Sequence, residues 1–146
     1  KRQVLYRACL HDDQNTIPMW FQEVISSYVS TLNNCAYSYA NHWANACHLM
    51  SDPEKAEIIE AAFKKRAPEH AFEGVQLAML RYAEKLTLSP GDVQEADVSA
   101  LKNEGISDGE ILEANQIIGY FNYVNRLLNG LGVSTDGDVV GYYKSE

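Results

Sequence analysis

The sequence has little positive charge and no long apolar run, and each absence excludes a class of function. Twelve lysines and arginines stand against twenty aspartates and glutamates, which gives a formal net charge of −8. Because no basic surface is available to hold a phosphate backbone, we expect no nucleic-acid partner. The apolar segments fall short of the roughly 18 residues that a membrane-spanning helix needs, so we expect no membrane partner either.

Cysteine is also scarce. Cys9, Cys35 and Cys47 do not form the even-numbered, closely spaced set of a disulfide framework, which favours a reducing, cytoplasmic location. One disulfide plus one free thiol remains open. The first ten residues are too polar for the apolar core of a signal peptide. Since the chain begins with Lys1 rather than methionine, we expect that it has been trimmed or lacks an N-terminal segment.

Length and apolar periodicity predict one all-α domain over residues 1–146. A chain of 146 residues that is 46% hydrophobic and 22% charged can build a single core. Between polar, glycine and proline breaks, apolar residues recur every three or four positions, as they do on helices. Nothing in the chain indicates strand–helix alternation or a repeat. We therefore expect a helical bundle of about six helices.

Helix signals place the individual segments. Thr16 is expected to cap a buried helix that begins near Met19, and Asn34 is expected to cap the next helix. Ser51 or Asp52 is expected to cap a third helix, and Ser107 is expected to cap the last long helix. Asp92 or Val93 is expected to open a short helix before it. The tail from Val133 to Glu146 is predicted to be extended or to lie over a neighbouring subunit.

One predicted helix carries a pattern that could support chemistry. Cys35, Ser38 and His42 are spaced i, i+3, i+7, so they fall within an arc of about 60° on one helical face. A thiol at a helix N-terminus is favoured as thiolate, and with an imidazole on the same face it forms a possible nucleophile–base pair. The alternative is a structural role for both, because lone cysteines and histidines are often buried and inert.

Glu23 is a candidate third member of this site. It lies on the apolar helix before the motif, where a carboxylate costs free energy unless a partner stabilises it. If the two helices pack antiparallel, Glu23 can approach His42 or Cys35. Otherwise it faces solvent at the helix edge or pairs with a distant arginine.

A metal site is not expected. The possible ligands Cys35, His42, Cys47 and His48 lie on one straight helix, with Cys47 about 120° away from Cys35. Four ligands on one helix cannot surround a tetrahedral ion. We therefore predict neither a metal nor another cofactor.

Glu23 followed by the segment from Asn34 to His42 resembles the carboxymuconolactone decarboxylase and alkylhydroperoxidase D superfamily, in its peroxidase-related branch. The family pattern is Glu, eleven residues, then Cys-x-x-Cys-x-x-x-His, and Glu23, Cys35 and His42 match it in identity and spacing. The resemblance runs from about Thr16 to Val133, and further segments share it: Tyr28–Asn33, Arg81–Thr87, Phe121–Leu127 and Leu131–Val133.

The resemblance implies an all-α fold and a symmetric homo-oligomer, from dimer to hexamer. In the redox-active members two cysteines form a disulfide that turns over hydroperoxides, glutamate and histidine form a proton relay, and an external dithiol reduces the pair. By this resemblance the catalytic residues are Cys35, Ser38, His42 and Glu23. A small molecule is the substrate, and an external thiol is the reductant.

Ser38 departs from the pattern, because it stands where the family has its second, more nucleophilic cysteine. A hydroxyl cannot form a disulfide, and an oxidised Cys35 would need another thiol to resolve it. Three explanations of Ser38 are open. It is a natural residue of a degenerate or one-cysteine enzyme, or an engineered replacement made to trap one state of the enzyme. In the third, the scaffold carries out non-redox chemistry and needs no second thiol.

The first choice among three functions is an alkylhydroperoxidase-like thiol oxidoreductase, an antioxidant peroxidase with Cys35 as the thiol, His42 as the acid–base group and Glu23 orienting the relay. Because of Ser38, its activity is expected to be reduced, absent or engineered away. The second is a decarboxylase or isomerase acting on a small carboxylated lactone, with His42 and Glu23 as general acid–base groups. The third is a catalytically silent oligomeric binding protein.

Overall fold

The computed structural model describes residues 2–143, with side chains from Val4 onward, and it is helical without strands over that range. The described residues form seven α-helices, one more than the expected number of about six. Two of the seven, α1 and α6, are short helices of nine residues each. Their bounds are α1 Arg2–Leu10, α2 Met19–Leu32, α3 Ala36–Met50, α4 Pro53–Lys64, α5 Gly74–Leu88, α6 Glu95–Asn103 and α7 Asp108–Gly130. The all-α prediction is confirmed. Short 3₁₀ turns at Pro68–His70 and Pro90–Asp92 flank α5.

Helix α2 is the centre of the bundle. It is buried from Phe21 to Ser30, and it packs chiefly on α3 and also on α7 and α5. Three of its buried residues are serines, and each donates its hydroxyl to the carbonyl four residues earlier. These bonds satisfy the hydroxyl groups inside the helix itself. Because its buried hydroxyl groups already have partners, α2 can be surrounded by other helices although it carries three serines.

A tight reversal joins α2 to α3. Asn34 takes the left-handed conformation, with φ +51°, and the N–H of Cys35 donates to the Ser30 carbonyl at 2.9 Å. The expectation that Asn34 caps α3 is therefore wrong, because the residue that reverses the chain cannot also be the cap. Cys35 takes that place and accepts the first helical bond from the Tyr39 N–H.

Of the other predicted helix caps, those of α4 and α7 are confirmed and that of α2 is wrong. Ser107 and Glu110 form the expected capping box on α7, and Asp52 caps α4 by accepting a bond from the Lys55 N–H. Thr16 does not cap α2, because its N–H and hydroxyl bind the Glu113 carboxylate of α7, and Pro18 stands at the cap. Residues 90–92 form a 3₁₀ turn, so α6 begins only at Glu95.

After α7 the chain folds back over α3 of the same molecule. The backbone N–H groups of Gly141 and Tyr142 donate to the side chains of Asn41 and Asn45, respectively. Residues 144–146 of the predicted tail lie outside the described residues. No helix within residues 2–143 combines the length and the apolar character that crossing a membrane requires.

Candidate active site

The antiparallel packing of α2 on α3 brings a buried carboxylate against an imidazole. Glu23 is fully buried, and its Oε2 lies 2.6 Å from Nδ1 of His42. Because a carboxylate accepts hydrogen bonds, we assign the imidazole proton to Nδ1. The Nε2 atom is then an acceptor on the opposite edge of the ring.

The second carboxylate oxygen of Glu23 also has a partner. Its Oε1 accepts a hydrogen bond from the Asn45 side-chain amide at 3.2 Å. The partners of this buried carboxylate are thus an imidazole and an amide on α3, rather than solvent or an arginine. Of the arrangements left open by the sequence, the structure shows the approach of Glu23 to His42.

Aromatic rings hold the imidazole from the sides. The edge of Phe121 on α7 meets the His42 ring at 4.5 Å between centroids and 83° between planes. Tyr142 and Tyr6 lie at 5.8 Å and 6.1 Å from the same ring. The Phe121 and Tyr142 contacts are edge-to-face, and such packing restricts rotation of the imidazole ring. His42 is therefore fixed both by the carboxylate and by its neighbours.

Ser38 lies one turn before His42 and is integrated into a buried polar group. The Ser30 and Ser38 hydroxyl groups are hydrogen-bonded to each other at 2.9 Å, and the Asn125 amide donates to Ser30 Oγ at 3.3 Å. These three residues come from α3, α2 and α7, and all are buried. The position thus suits a hydroxyl, which hydrogen-bonds more strongly than a thiol.

Cys35 does not meet the expectation of a helix-stabilised thiolate. Its side chain is only 1% exposed, and burial raises the pKa of the thiol although the backbone N–H of Ser38 acts in the opposite direction. Desolvation of the charged form thus outweighs the helix N-terminus. The thiol is therefore protonated at neutral pH. This agrees with the alternative of a buried cysteine and corrects the thiolate interpretation made from its place at the helix N-terminus.

A cavity of about 630 Å³ opens beside the imidazole. Ser38 and His42 line it, together with two apolar residues of α7 and a polar, aromatic wall. Cys35 is absent from the lining formed by the described residues. The full set is Tyr6, Arg7, His11, Tyr37, Ser38, His42, Tyr120, Val124, Leu128 and Tyr142. Of the four predicted site residues, Ser38 and His42 therefore face the cavity, whereas Cys35 is not part of its lining.

Several cavity residues had no signal in the sequence. Tyr6 and Arg7 reach the site because α1 packs on α7, and Tyr142 reaches it because the tail folds back. Burial, helped by the negative charge of Glu23, raises the pKa of Tyr6, so its phenol stays a protonated donor. Asn45, one turn after His42, could have been noticed only as a polar residue next to the motif.

The other thiols and possible metal ligands lie apart from this cavity. Cys47 borders a separate groove with Trp43 and Glu60, and burial together with the Glu60 charge raises its pKa. All three cysteines are free thiols. Within the described part of the chain, histidine, cysteine and acidic side chains do not gather in threes as a metal site would require.

Comparison with known proteins rests on structure. Neither a known family's sequence profile nor a curated protein sequence matches this chain. A peroxidase-related protein from a Silicibacter species superposes with a TM-score of 0.80 at 26% identity, over 91% of this chain and 67% of that one. A peroxidase-related protein from Ralstonia eutropha, described as an alkylhydroperoxidase D core, gives 0.79 at 26% identity over the same shares.

A third structure supports the fold alone. It is a protein of unknown function from Agrobacterium tumefaciens, assigned provisionally to alkylhydroperoxidase D-type antioxidant defence. It superposes with a TM-score of 0.71 at 18% identity, over 91% of this chain and 86% of that one. In this fold, and with Glu23, Cys35 and His42 at the family's spacing, the chain is similar to the carboxymuconolactone decarboxylase and alkylhydroperoxidase D superfamily and matches structures of its peroxidase-related branch.

Proposed function

We propose that this protein is an acid–base enzyme of the decarboxylase or isomerase type, in which His42 moves a proton on a small carboxylated lactone. One observation carries the proposal. The cavity is lined by His42 and Ser38 while Cys35 is not part of its lining, and the imidazole is bound through Nδ1 to the buried carboxylate of Glu23. The peroxidase-type fold is thus combined with a proton-transfer site.

Each group has a role that its position supports. The Nε2 atom of His42 removes a proton from the carbon next to the lactone carbonyl, and the electron pair moves onto the carbonyl oxygen. Glu23 holds the Nδ1 proton and stabilises the imidazolium that forms. The protonated phenol of Tyr6 is a hydrogen-bond donor in the same cavity, suited to the developing oxyanion.

The mouth of the cavity suits an anionic substrate. Arg7 lies in the lining and is exposed, and its guanidinium can bind a carboxylate through two parallel hydrogen bonds. His11, one turn after Arg7 along the chain, also lines the cavity. In a chain with a net charge of −8, a cationic group at the cavity mouth offers an anion a local attraction that the rest of the surface does not.

Proton exchange tests the proposal directly. Paraconic acid, a γ-lactone with one carboxyl group, and its unsaturated analogues are incubated with the protein in D₂O, and loss of the proton next to the carbonyl is followed by NMR. His42→Gln should lower the rate by about 10²–10⁴-fold, the usual contribution of a general base. His70→Gln, an exposed histidine elsewhere, is the control and should leave the rate unchanged. Equal rates in wild type and His42→Gln would refute the proposal.

A second candidate is a thiol peroxidase. It is favoured by the hydrogen bond from the Ser38 backbone to the Cys35 sulfur and by the likeness to peroxidase-related proteins. In this reaction the Cys35 thiol becomes a sulfenic acid as the hydroperoxide is reduced to an alcohol. Two equivalents of an external thiol then regenerate it, releasing water and a disulfide.

Peroxide consumption with dithiothreitol as reductant separates the two candidates. On the acid–base proposal, wild type and Cys35→Ala consume cumene hydroperoxide at the same rate. Ser38→Cys, which places a thiol on the cavity wall, should consume it faster than wild type. If Cys35→Ala abolishes a substantial wild-type rate, the second candidate is the correct one.

A further inference from the structure

The segment Val139–Tyr143, which we call the strap, is fitted along one face of α3. The Gly141 N–H donates to Asn41 Oδ1 at 3.1 Å, and the Tyr142 N–H donates to Asn45 Oδ1 at 2.8 Å. The Tyr143 ring stacks on His48 with 4° between planes and 5.8 Å between centroids. Asn41, Asn45 and His48 are spaced i, i+4, i+7, so one stripe of the helix receives three successive strap residues.

Gly141 makes this close fit possible. Its φ is +88°, and a Cβ added there would lie 3.2 Å from the Cβ of Ala44 and 3.6 Å from Oδ1 of Asn45. A side chain would therefore strain the backbone and also push the strap away from α3. Gly137 has a φ of +83°, so its backbone conformation also favours glycine. A Cβ added there, however, would have no other atom within 4 Å.

Asn45 connects the strap to the catalytic pair. Its side chain is buried, with the carbonyl end bound to the Tyr142 N–H and the amide end bound to Glu23 Oε1. Because the strap occupies the carbonyl oxygen, the NH₂ group must face the carboxylate. A continuous chain of hydrogen bonds thus runs from the strap through Asn45 and Glu23 to Nδ1 of His42.

The strap also forms part of the cavity. Tyr142 is among the lining residues, and its ring lies 5.8 Å from the His42 ring and 6.4 Å from the Tyr6 ring. Tyr142 therefore contributes both to the cavity wall and, through Asn45, to the hydrogen bonding of the buried carboxylate.

We propose that the docked strap is a working part of this site and that Asn45 is a positioning residue which transmits strap docking to Glu23 and His42. When the strap is displaced, Asn45 loses the acceptor bond that fixes its amide, and Glu23 loses a preferentially oriented donor. The Nδ1 proton of His42 is then held less strictly, and the cavity loses one wall. The activity part of this inference rests on the proposed function, whereas the coupling of strap to imidazole does not.

Two variants disturb the chain of bonds from opposite ends. Gly141→Val displaces the strap without changing a residue of α3, and Gly137→Val is its matched control, since both introduce valine at a positive φ. Asn45→Ala removes the connecting amide and keeps the strap residues intact. Cooperative thermal unfolding of each variant, followed by circular dichroism, identifies any that does not fold.

Three measurements report on the proposal. Backbone amide exchange of Tyr142 reports strap docking. The ¹⁵N shifts of Nδ1 and Nε2 of His42 report where the imidazole proton resides, and proton exchange of paraconic acid in D₂O reports activity. In Gly141→Val and Asn45→Ala we expect faster Tyr142 amide exchange, His42 shifts that move toward mixed tautomers, and proton exchange about tenfold slower, in the range of other outer-sphere partners. Gly137→Val should match wild type in all three.

The outcomes separate the two proposals. If Gly141→Val frees the Tyr142 amide while the His42 shifts stay at wild-type values, the coupling is refuted and the strap is only structural. Unchanged His42 shifts in Asn45→Ala would refute the positioning role in the same way. If the His42 shifts respond as expected but wild type exchanges no proton of the lactone, the coupling stands and the proposed function fails.

Discussion

At the scale of single residues, burial has opposite consequences for the two ionisable groups near the turn between α2 and α3. Glu23 is fully buried but has a donor for each carboxylate oxygen, at 2.6 Å and 3.2 Å. Cys35 is equally buried and meets one backbone N–H, so desolvation dominates and raises its pKa. Partners therefore decide which group is ready for chemistry: the carboxylate–imidazole pair is organised, whereas the thiol is held neutral.

The raised pKa of Cys35 has a measurable consequence for its reactivity. Thiolate is the nucleophile, so alkylation by iodoacetamide should be slow at pH 7 and should accelerate only above the ordinary cysteine pKa of about 8.5. Peptide mass spectrometry separates Cys35 from Cys47, which is less deeply buried and should react first. In urea, where burial is lost, both thiols should react at the same pH. Rapid modification of Cys35 in the folded protein at pH 7 would contradict the assignment.

Groups that need a partner were the most predictable single residues. A carboxylate among apolar residues needs a donor, which made His42 or Cys35 candidate partners of Glu23. For Cys35 the sequence left two states open, a thiolate at a helix N-terminus and a buried, inert thiol, because the balance between the helix field and burial depends on packing. Whether Glu23, Ser38, His42 and Cys35 act in catalysis remains a prediction.

At the scale of elements, helix starts were predictable where side chains make them. Ser107 and Asp52 are local caps whose signal lies within four residues of sequence. The start of α3 depends instead on the left-handed turn at Asn34, and Thr16 is drawn away from α2 by Glu113, nearly a hundred residues later. The Glu113 contact is too distant in sequence to leave a local signal near Thr16.

The Ser107 cap predicts a local stability effect. Ser107→Ala removes the acceptor for the Glu110 N–H and should lower the free energy of unfolding by about 1 kcal/mol. Urea denaturation followed by circular dichroism measures the change. Ser99→Ala, at an exposed position inside α6, is the control and should alter stability only through helix propensity, by a few tenths of a kcal/mol.

The same cap predicts the direction of a pH effect. Hydrogen bonds from the Ser107 side chain and backbone hold the pKa of Glu110 below its usual value. A depressed carboxyl pKa contributes stability above the unfolded value, near pH 4.3, which is lost as pH falls through the folded value. The difference in unfolding free energy between wild type and Ser107→Ala should therefore shrink on acidification below about pH 4. A difference that grows instead would contradict this account of the cap.

At the scale of the whole molecule, the helical bundle followed from apolar periodicity, but the cavity did not. One side of the cavity comes from α3, where the sequence shows the spacing of Ser38 and His42. The other sides come from α1, α7 and the strap, which carry no such motif. The strap position depends on a glycine fitting against Ala44 and on two asparagines whose partners are backbone groups. Such fits form only after the helices have packed, so the sequence pattern could not specify them.

The homo-oligomer expected from the family resemblance stays a prediction, and the surface of α7 supports it. Tyr123, Leu127 and Leu131 follow one another at intervals of four residues and are 52%, 38% and 80% exposed. An apolar stripe of this kind is typical of a surface that another protein covers. We predict that sedimentation velocity shows an assembly larger than one chain, and that Tyr123→Asp with Leu127→Asp shifts it toward the monomer. Ile58→Asp, at an exposed site on α4, is the control and should leave the assembly unchanged. A monomeric wild type would contradict the prediction.

In the proposed mechanism the imidazole of His42, and not the thiol of Cys35, is the reactive group of the cavity. Proton exchange of paraconic acid in D₂O by Cys35→Ala, compared with wild type and His42→Gln in one experiment, tests it most directly. We expect Cys35→Ala to exchange the proton at a rate within about twofold of wild type, and His42→Gln to exchange it about 10²–10⁴-fold more slowly. Loss of exchange in Cys35→Ala with retention in His42→Gln would contradict it.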